Sequence, residues 1–402
     1  MKKLDILIQN NKVGELFFEK SSNSYGFNYT SDFSPISLIM PYKKSTYEWK
    51  NRLHPIFDMN TPEGYLFEIF KNFLNKEHSY IDDYLVFSYL APNIESRLTY
   101  KSWFDSTEFP TLDLDAVLNN DDEDTFSKIL HIFLDRNAIS GVQPKTLALI
   151  KDKESLQTKE YIIKTWGEEF PHLAENEFFC LNATKYAGVE IPNIKLSKNR
   201  KFLLVERFNY DKKSNSFLGF EEILVLLGKN RDEKYSGSYE SVVKTIYTVC
   251  TDKEKAMKDV FKTIVMSYLL KNGDAHLKNF GVLYDEEFKS IRFAPAYDIV
   301  NTCVYIYKDR PALTMFGKKV WFGESELLRF GRECCYISKA KTQTYYDECI
   351  AALKRMMIEL KTYIKSNPDF ETIALRMYES YQVSLEKKTH KELKYEVTRD
   401  WQ

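Results

Sequence analysis

The chain is 402 residues long, enough for two or three domains or one large bilobal enzyme with a substantial core, so size excludes little. Its 57 Lys and Arg face 58 Asp and Glu, which excludes a generally cationic nucleic-acid wrapper or membrane-surface binder and leaves only local basic patches. Six scattered cysteines (Cys180, Cys250, Cys303, Cys334, Cys335 and Cys349) form no CxxC pair, pointing to free thiols in a reducing cytosol rather than to zinc or a disulfide framework.

No stretch reaches the ~20 apolar residues of a membrane span, and a charge interrupts Met1–Ile6, so the expectation is a cytoplasmic protein without a membrane partner. Short runs of strand character at Leu4–Ile8, Gly14–Phe18 and Ile36–Met40 are separated by turn signals such as Ser21–Ser24. Pro62 follows Asn60 as at a helix start, and Gly64–Asn75 carries apolar residues at helical spacing, which predicts an α/β subdomain over residues 1–112. The acidic run Asp113–Asp124 marks a boundary.

Over residues 113–215 the pattern is strand, strand, helix, strand: Thr146–Ile150, Glu160–Thr165, Asn176–Ala187 (closed by Gly188) and Lys201–Val205. Over residues 216–402 helical periodicity dominates, at Glu221–Leu227, Tyr239–Cys250, Lys253–Leu270 and Tyr345–Lys365. Strand-like segments at Phe280–Tyr284 and Ser290–Phe293 interrupt it, and Lys387–Gln402 reads as a polar tail. The fold class expected is α+β.

Phosphoryl transfer needs a backbone cradle for phosphates, a cation on them, oxygen ligands for a divalent metal and a base for the nucleophile. Candidates for all four occur in kinase order. Asp274 precedes Asn279 by five positions, the spacing at which a kinase catalytic loop keeps its proton-accepting Asp and its metal-binding Asn. That loop falls between a helical run and an apolar strand, where polar side chains can converge. Asp298 ends the next strand and supplies a second oxygen ligand for Mg²⁺; a turn or N-cap aspartate is its competing reading. Ser140, Gly141, Val142, Gln143, Pro144 and Lys145 make a turn-rich lead into a strand, suited to present backbone N–H groups to phosphates, although a single glycine is a weak signature.

Lys164 closes an apolar strand as the phosphate-gripping lysine of a kinase does, and Glu177, at the start of an apolar helix face, is its expected ion-pair partner. Glu175 is then the first-turn acid stabilised by the helix dipole. Leu203–Val205 runs into the polar Glu206-Arg207-Phe208, a hinge that would offer backbone groups to adenine, or a plain strand end. His276 reads as support for the loop more than as an acid–base group, and Lys278 as a γ-phosphate contact or a solvent-facing charge.

These segments, in order, resemble the HipA toxin kinase family: Ile139–Lys145, Ile163-Lys164, Glu175-Asn176-Glu177, Glu206-Arg207-Phe208, Asn272–Asn279 and Pro295–Asp298. Thr61–Gly64 is similar to the family's N-terminal Leu-Pro-Glu-Gly turn, and Lys234-Tyr235 and Phe316–Lys318 match weaker positions. The resemblance implies a bilobal protein-kinase-like fold with an N-terminal α/β subdomain (1–112), a β-rich N-lobe (113–215) and a mainly helical C-lobe (216–402). It implies phosphorylation of a serine or threonine of a protein with ATP and Mg²⁺, Asp274, His276 and Lys278 serving catalysis and Asn279 and Asp298 the metal. The nucleotide would meet Ser140, Gly141, Val142, Gln143, Lys145, Lys164, Glu177, Glu206 and Phe208. A DNA-binding antitoxin, with DNA reached only through it, and an aminoacyl-tRNA synthetase as target are the family's associations.

One departure concerns self-inactivation. The family's regulatory loop serine has Ala138 at its place here, and Ser140 remains as the hydroxyl expected to be autophosphorylated. Two rival readings stay open: a small-molecule kinase of aminoglycoside or choline type, which shares the Asp-x4-Asn spacing, and an inactive kinase fold acting as a scaffold. Gly141–Lys145 and the N-terminal module weigh against the first, and retention of Lys164, Asp274, Asn279 and Asp298 against the second.

Overall fold

The computed structural model describes residues 2–61, 74, 81–94, 96–104, 112–113, 118–119, 145–151, 158–164, 170–211, 213–306 and 308–386. They fall into two compact units interleaved along the chain. Met1–Thr165, Ile194–Glu233 and Leu283–Ser290 form the first; Trp166–Asn193, Lys234–Val282 and Ile291–Gln402 form the second.

The first unit opens with an antiparallel sheet of order β4-β3-β2-β1-β5, built from β1 (Lys3–Ile8), β2 (Asn11–Glu19), β3 (Ser24–Tyr29), β4 (Tyr47–Lys50) and β5 (Leu98–Lys101). Alternation along β1 turns Leu4, Ile6 and Ile8 into a core with Val13, Leu16 and Phe27, closed by Phe57 of α1 (Pro55–Asp58) and Phe87 of α2 (Asp83–Leu90). Both helices are capped by side chains. Asp82 accepts the Leu85 N–H at 2.8 Å, and His54 Nδ1 accepts the Ile56 N–H at 3.2 Å. Burial pushes the His54 imidazole down to about 3, so the ring stays neutral and Nδ1 remains an acceptor.

A second sheet, of order β6-β7-β8-β10-β9, contains β6 (Leu112–Asp113), β7 (Lys145–Lys151), β8 (Thr158–Lys164), β9 (Ile194–Leu196) and β10 (Leu203–Glu206). It is antiparallel except for the β6–β7 pair. Its register puts Lys164 opposite Lys145 on one side and Leu203 on the other.

Two sequence expectations fail in this unit for one reason. Ile36–Met40 is a tight turn closed by a lone Ser37–Met40 bridge rather than a strand, and the segment expected as a helix at Glu221–Leu227 is a strand, Gly219–Glu222, followed by a single turn, Ile223–Leu226. Glu221 is fully buried and accepts from Ser37 Oγ (2.8 Å), Leu38 N–H (2.8 Å) and Tyr284 Oη (2.7 Å). Those donors hold the Glu221 backbone extended and capture the turn, overriding the local apolar pattern. A half-buried charged cluster lies elsewhere in the unit: Arg231 meets Asp83 at 2.9 Å, Asp58 at 3.6 Å and Thr61 Oγ1 at 2.9 Å.

The second unit is mainly helical, with α3 (Leu173–Tyr186), α4 (Tyr239–Val249), α5 (Lys253–Leu269), α6 (Glu324–Glu333), α7 (Lys339–Ser366) and α8 (Glu371–Leu385). Asp252, Ser238 and Ser338 cap α5, α4 and α7 by accepting backbone N–H groups. From Asp259 onward every residue of α5 is buried, which makes it the central helix of the unit. None of the six cysteines is joined in a disulfide. Among the described residues no helix is long and apolar enough to cross a membrane. All of the expected helix Gly64–Asn75 but Leu74, most of the acidic run Asp113–Asp124 and the tail Lys387–Gln402 lie outside the described residues.

Candidate active site

Helix α5 delivers the Asp274 loop through a left-handed exit. Lys271 has φ +58°, its N–H donates to Tyr268 O, and the Asn272 N–H donates to Ser267 O at 2.8 Å, the paired bonds of a Schellman stop. Glycine is the usual residue there. Lys271 is instead buried, its Nζ 5.0 Å from the centre of the Trp321 ring, and burial pushes its ammonium down to about 8.

Gly273 follows at a crowded point. Its N–H donates to Thr302 Oγ1 (2.8 Å), which is itself hydrogen-bonded to the Asp309 carboxylate, and a Cβ on Gly273 would lie 1.9 Å from Asp309 Oδ2. Gly273→Ala is therefore expected to displace the loop and lower phosphoryl transfer about 100-fold, the usual effect of a misplacement near 1 Å. Initial rates with γ-labelled ATP, set beside melting curves showing a retained fold, check this.

Asn279 ties the loop together. Its Nδ2 donates to Asp274 O at 2.8 Å and to Asp298 O at 3.4 Å, so one amide holds the two carboxylate-bearing residues to each other. Spending the N–H₂ group on carbonyls leaves the amide oxygen as its metal-ligand atom. Tyr297 Oη reinforces the junction by donating to Lys278 O at 2.6 Å. Asp298 has φ +58°, a conformation costing a non-glycine residue about 1–2 kcal/mol and kept here at a residue proposed to bind metal.

Beyond Asp298, Asn176 of α3 acts as a surrogate strand. Its side chain donates to Asn301 O (3.0 Å) and accepts the Asn301 N–H (2.9 Å), fixing α3 to the segment that carries Asp298. Glu175, in the first turn of α3, is fully buried against Tyr363 Oη (2.9 Å) and His172. Glu177 is buried one position beyond Asn176, also in this unit.

Asp274 itself is 42% exposed; Tyr235 Oη donates to its Oδ1 at 2.7 Å and His276 Nε2 stands 3.9 Å away. His276 is buried, and Lys278 is buried rather than solvent-facing. In the first unit, Lys164 is buried at the end of β8, Glu206 ends β10 half-buried, and the Phe208 ring packs 5.4 Å from Phe220. The backbone of Lys145 starts β7; Ala138, Ser140, Gly141, Val142 and Gln143 lie outside the described residues. Sequence reasoning gave no role to Tyr235, Thr302 or Asn301. Their contacts bridge distant segments and have no local signature; only the Lys234-Tyr235 similarity hinted at one of them.

Residues 137–357, more than half of the chain, match the model of the HipA-like C-terminal domain. The chain belongs to the HipA-like family. Residues 4–91 match the HipA N-terminal domain, so both parts of a HipA-like chain are present. A Haemophilus influenzae protein named "Putative kinase" is 32% identical over 184 residues, 42% of this chain and 53% of that protein. The serine/threonine-protein kinase toxin HipA of Shewanella oneidensis is 24% identical over 199 residues, 42% of this chain and 44% of the other. The match thus spans about half the length of these curated relatives. A solved structure described as the Shewanella oneidensis toxin–antitoxin complex of HipA, HipB and operator DNA aligns with TM-score 0.70 at 15% identity, covering 95% of this chain and 97% of that one. The α+β, protein-kinase-like fold expected of this HipA-like chain is therefore the observed one.

Proposed function

We propose that this HipA-like chain is an ATP-dependent protein kinase that phosphorylates serine or threonine, working as the toxin of a toxin–antitoxin pair. The observation that carries the reading is the Asn279 amide binding Asp274 and Asp298 into one oxygen-rich site. In the reaction the acceptor hydroxyl oxygen bonds to the γ-phosphorus, the bond from that phosphorus to the β–γ bridging oxygen breaks, ADP leaves, and Asp274 takes the hydroxyl proton.

Asn279 and Asp298 offer an amide and a carboxylate oxygen, a donor set that fits Mg²⁺, which neutralises phosphate charge when bound. Lys164, with Glu177 as its partner, would grip the phosphates, the Ser140–Lys145 backbone would cradle them, and Glu206–Phe208 would face adenine. Residues 1–112, 113–215 and 216–402 would serve as N-terminal subdomain, N-lobe and C-lobe. The named complex of the Shewanella relative supports a DNA-binding antitoxin as partner, and a protein of the translation machinery is the acceptor class the resemblance favours.

The test is incubation of the purified chain with Mg²⁺ and γ-labelled ATP in a bacterial lysate. Label is expected in protein, with phosphoserine or phosphothreonine on hydrolysis, and on Ser140 in the chain's own peptides. Asp298→Ala is expected to reduce it at least about 100-fold. Label confined to small molecules would reject a protein kinase, and equal labelling by Asp298→Ala would reject the metal assignment.

A further inference from the structure

We propose that Tyr235 is a positioning residue for Asp274: its phenol fixes the carboxylate in the orientation that receives the acceptor proton. The proposal rests on the kinase reading and adds to it a residue outside the nucleotide and metal sets.

The ring is 43% exposed, so burial does not explain its placement. Its hydroxyl donates to Asp274 Oδ1 at 2.7 Å, its edge meets the His276 ring at 5.1 Å and 76°, and Lys234 Nζ stands 5.4 Å from its centre. The backbone beneath it is clamped from two sides. Toward the catalytic loop, the Leu277 N–H donates to Lys234 O (3.1 Å) and Tyr239 Oη to Ala275 O (3.2 Å). Toward the segment around residue 316, the Tyr239 N–H donates to Thr314 O (2.9 Å), the Thr314 N–H to Gly237 O (3.2 Å) and Lys319 Nζ to Tyr235 O (3.2 Å). Five bonds thus aim one exposed phenol at the one carboxylate that must accept a proton.

Phenol is a much weaker acid than a carboxyl group, so Tyr235 is the donor of this bond and the Asp274 carboxylate the acceptor. A charge-assisted bond of this kind restricts rotation of the carboxylate about χ2, and catalysis is sensitive to such orientation.

The experiment compares wild type, Tyr235→Phe, Asp274→Ala and the double variant in the full chain, by label transfer under single-turnover conditions and by urea unfolding. Tyr235→Phe is expected to lower the maximal rate about 10-fold, the worth of one hydrogen bond to a charged group, with half-saturation by ATP and acceptor unchanged. In the Asp274→Ala background it is expected to have no further effect on rate. An equal loss in both backgrounds, or faster transfer because the phenol had been obstructing the acceptor, would overturn the proposal. If wild type transfers no more label than Asp274→Ala, the kinase reading fails and the positioning role falls with it. The urea cycle keeps the cases apart: coupling between the two substitutions there shows the contact intact and locates the failure in the kinase reading, and no coupling removes the contact itself.

Discussion

Asp274→Ala is expected to lower phosphoryl transfer to protein by about 10²–10⁴-fold, the usual contribution of a positioned acid or base, without unfolding the second unit. The side chain is 42% exposed, so its loss opens no large cavity. What organises the loop is the Asp274 carbonyl, which accepts the Asn279 amide at 2.8 Å and the His276 N–H at 2.7 Å; alanine keeps it. The chemistry and the architecture of the loop therefore separate cleanly in this substitution. Initial-rate labelling together with a urea midpoint lowered by no more than the loss of the single Tyr235 bond would verify both halves. A variant labelling at the parental rate would show that Asp274 is not the base.

Glu221→Ala is expected to destabilise the first unit by about 3–5 kcal/mol, because it strands three donors at once, two of them on buried residues. Ser37 Oγ, the Leu38 N–H and Tyr284 Oη all end on this carboxylate, and Ser37 and Tyr284 are buried away from solvent. The melting temperature of this unit should drop by roughly 10 °C.

Glu221→Gln separates hydrogen bonding from charge. The amide oxygen keeps Leu38 and Tyr284, and the amide nitrogen can donate to Ser37 Oγ once that hydroxyl rotates. Burial holds the Glu221 carboxyl above its usual value of 4.5 despite these donors and Arg97. The folded state therefore binds a proton at pH values where the unfolded chain has lost it. Stability contributed by this group is greatest below its ordinary pKa, falls as pH rises from there to the raised folded value, and is flat beyond. Urea midpoints across that window should slope downward with rising pH in the parent, and the Glu221 share of the slope should vanish in Glu221→Gln.

Strand alternation at Leu4–Ile8, the long apolar helix ahead of Asp274 and the spacing from Asp274 to Asn279 were legible in the chain, because each is a local pattern set by backbone period or by loop chemistry. The family followed from such segments taken in order. The turn at Ile36–Met40 and the strand at Gly219–Glu222 were not legible, since Glu221 takes its donors from residues 37, 38 and 284 and long-range bonds outweigh local propensity there. Tyr235 escaped for the same reason, its target lying 39 positions away.

By itself, then, the sequence determined the α+β class, the family, and which carboxylates and amides are proposed for phosphoryl transfer. Only the tertiary structure decided that Asn279 clamps Asp274 to Asp298, that Asn176 pins α3 to the segment beyond Asp298, and that a phenol rests on the proposed base. Periodicity and spacing record how a residue relates to its near neighbours along the chain. Those three contacts are made between segments whose separation only folding removes, where a buried or aimed polar group must find its partner or lose more than a local preference can return.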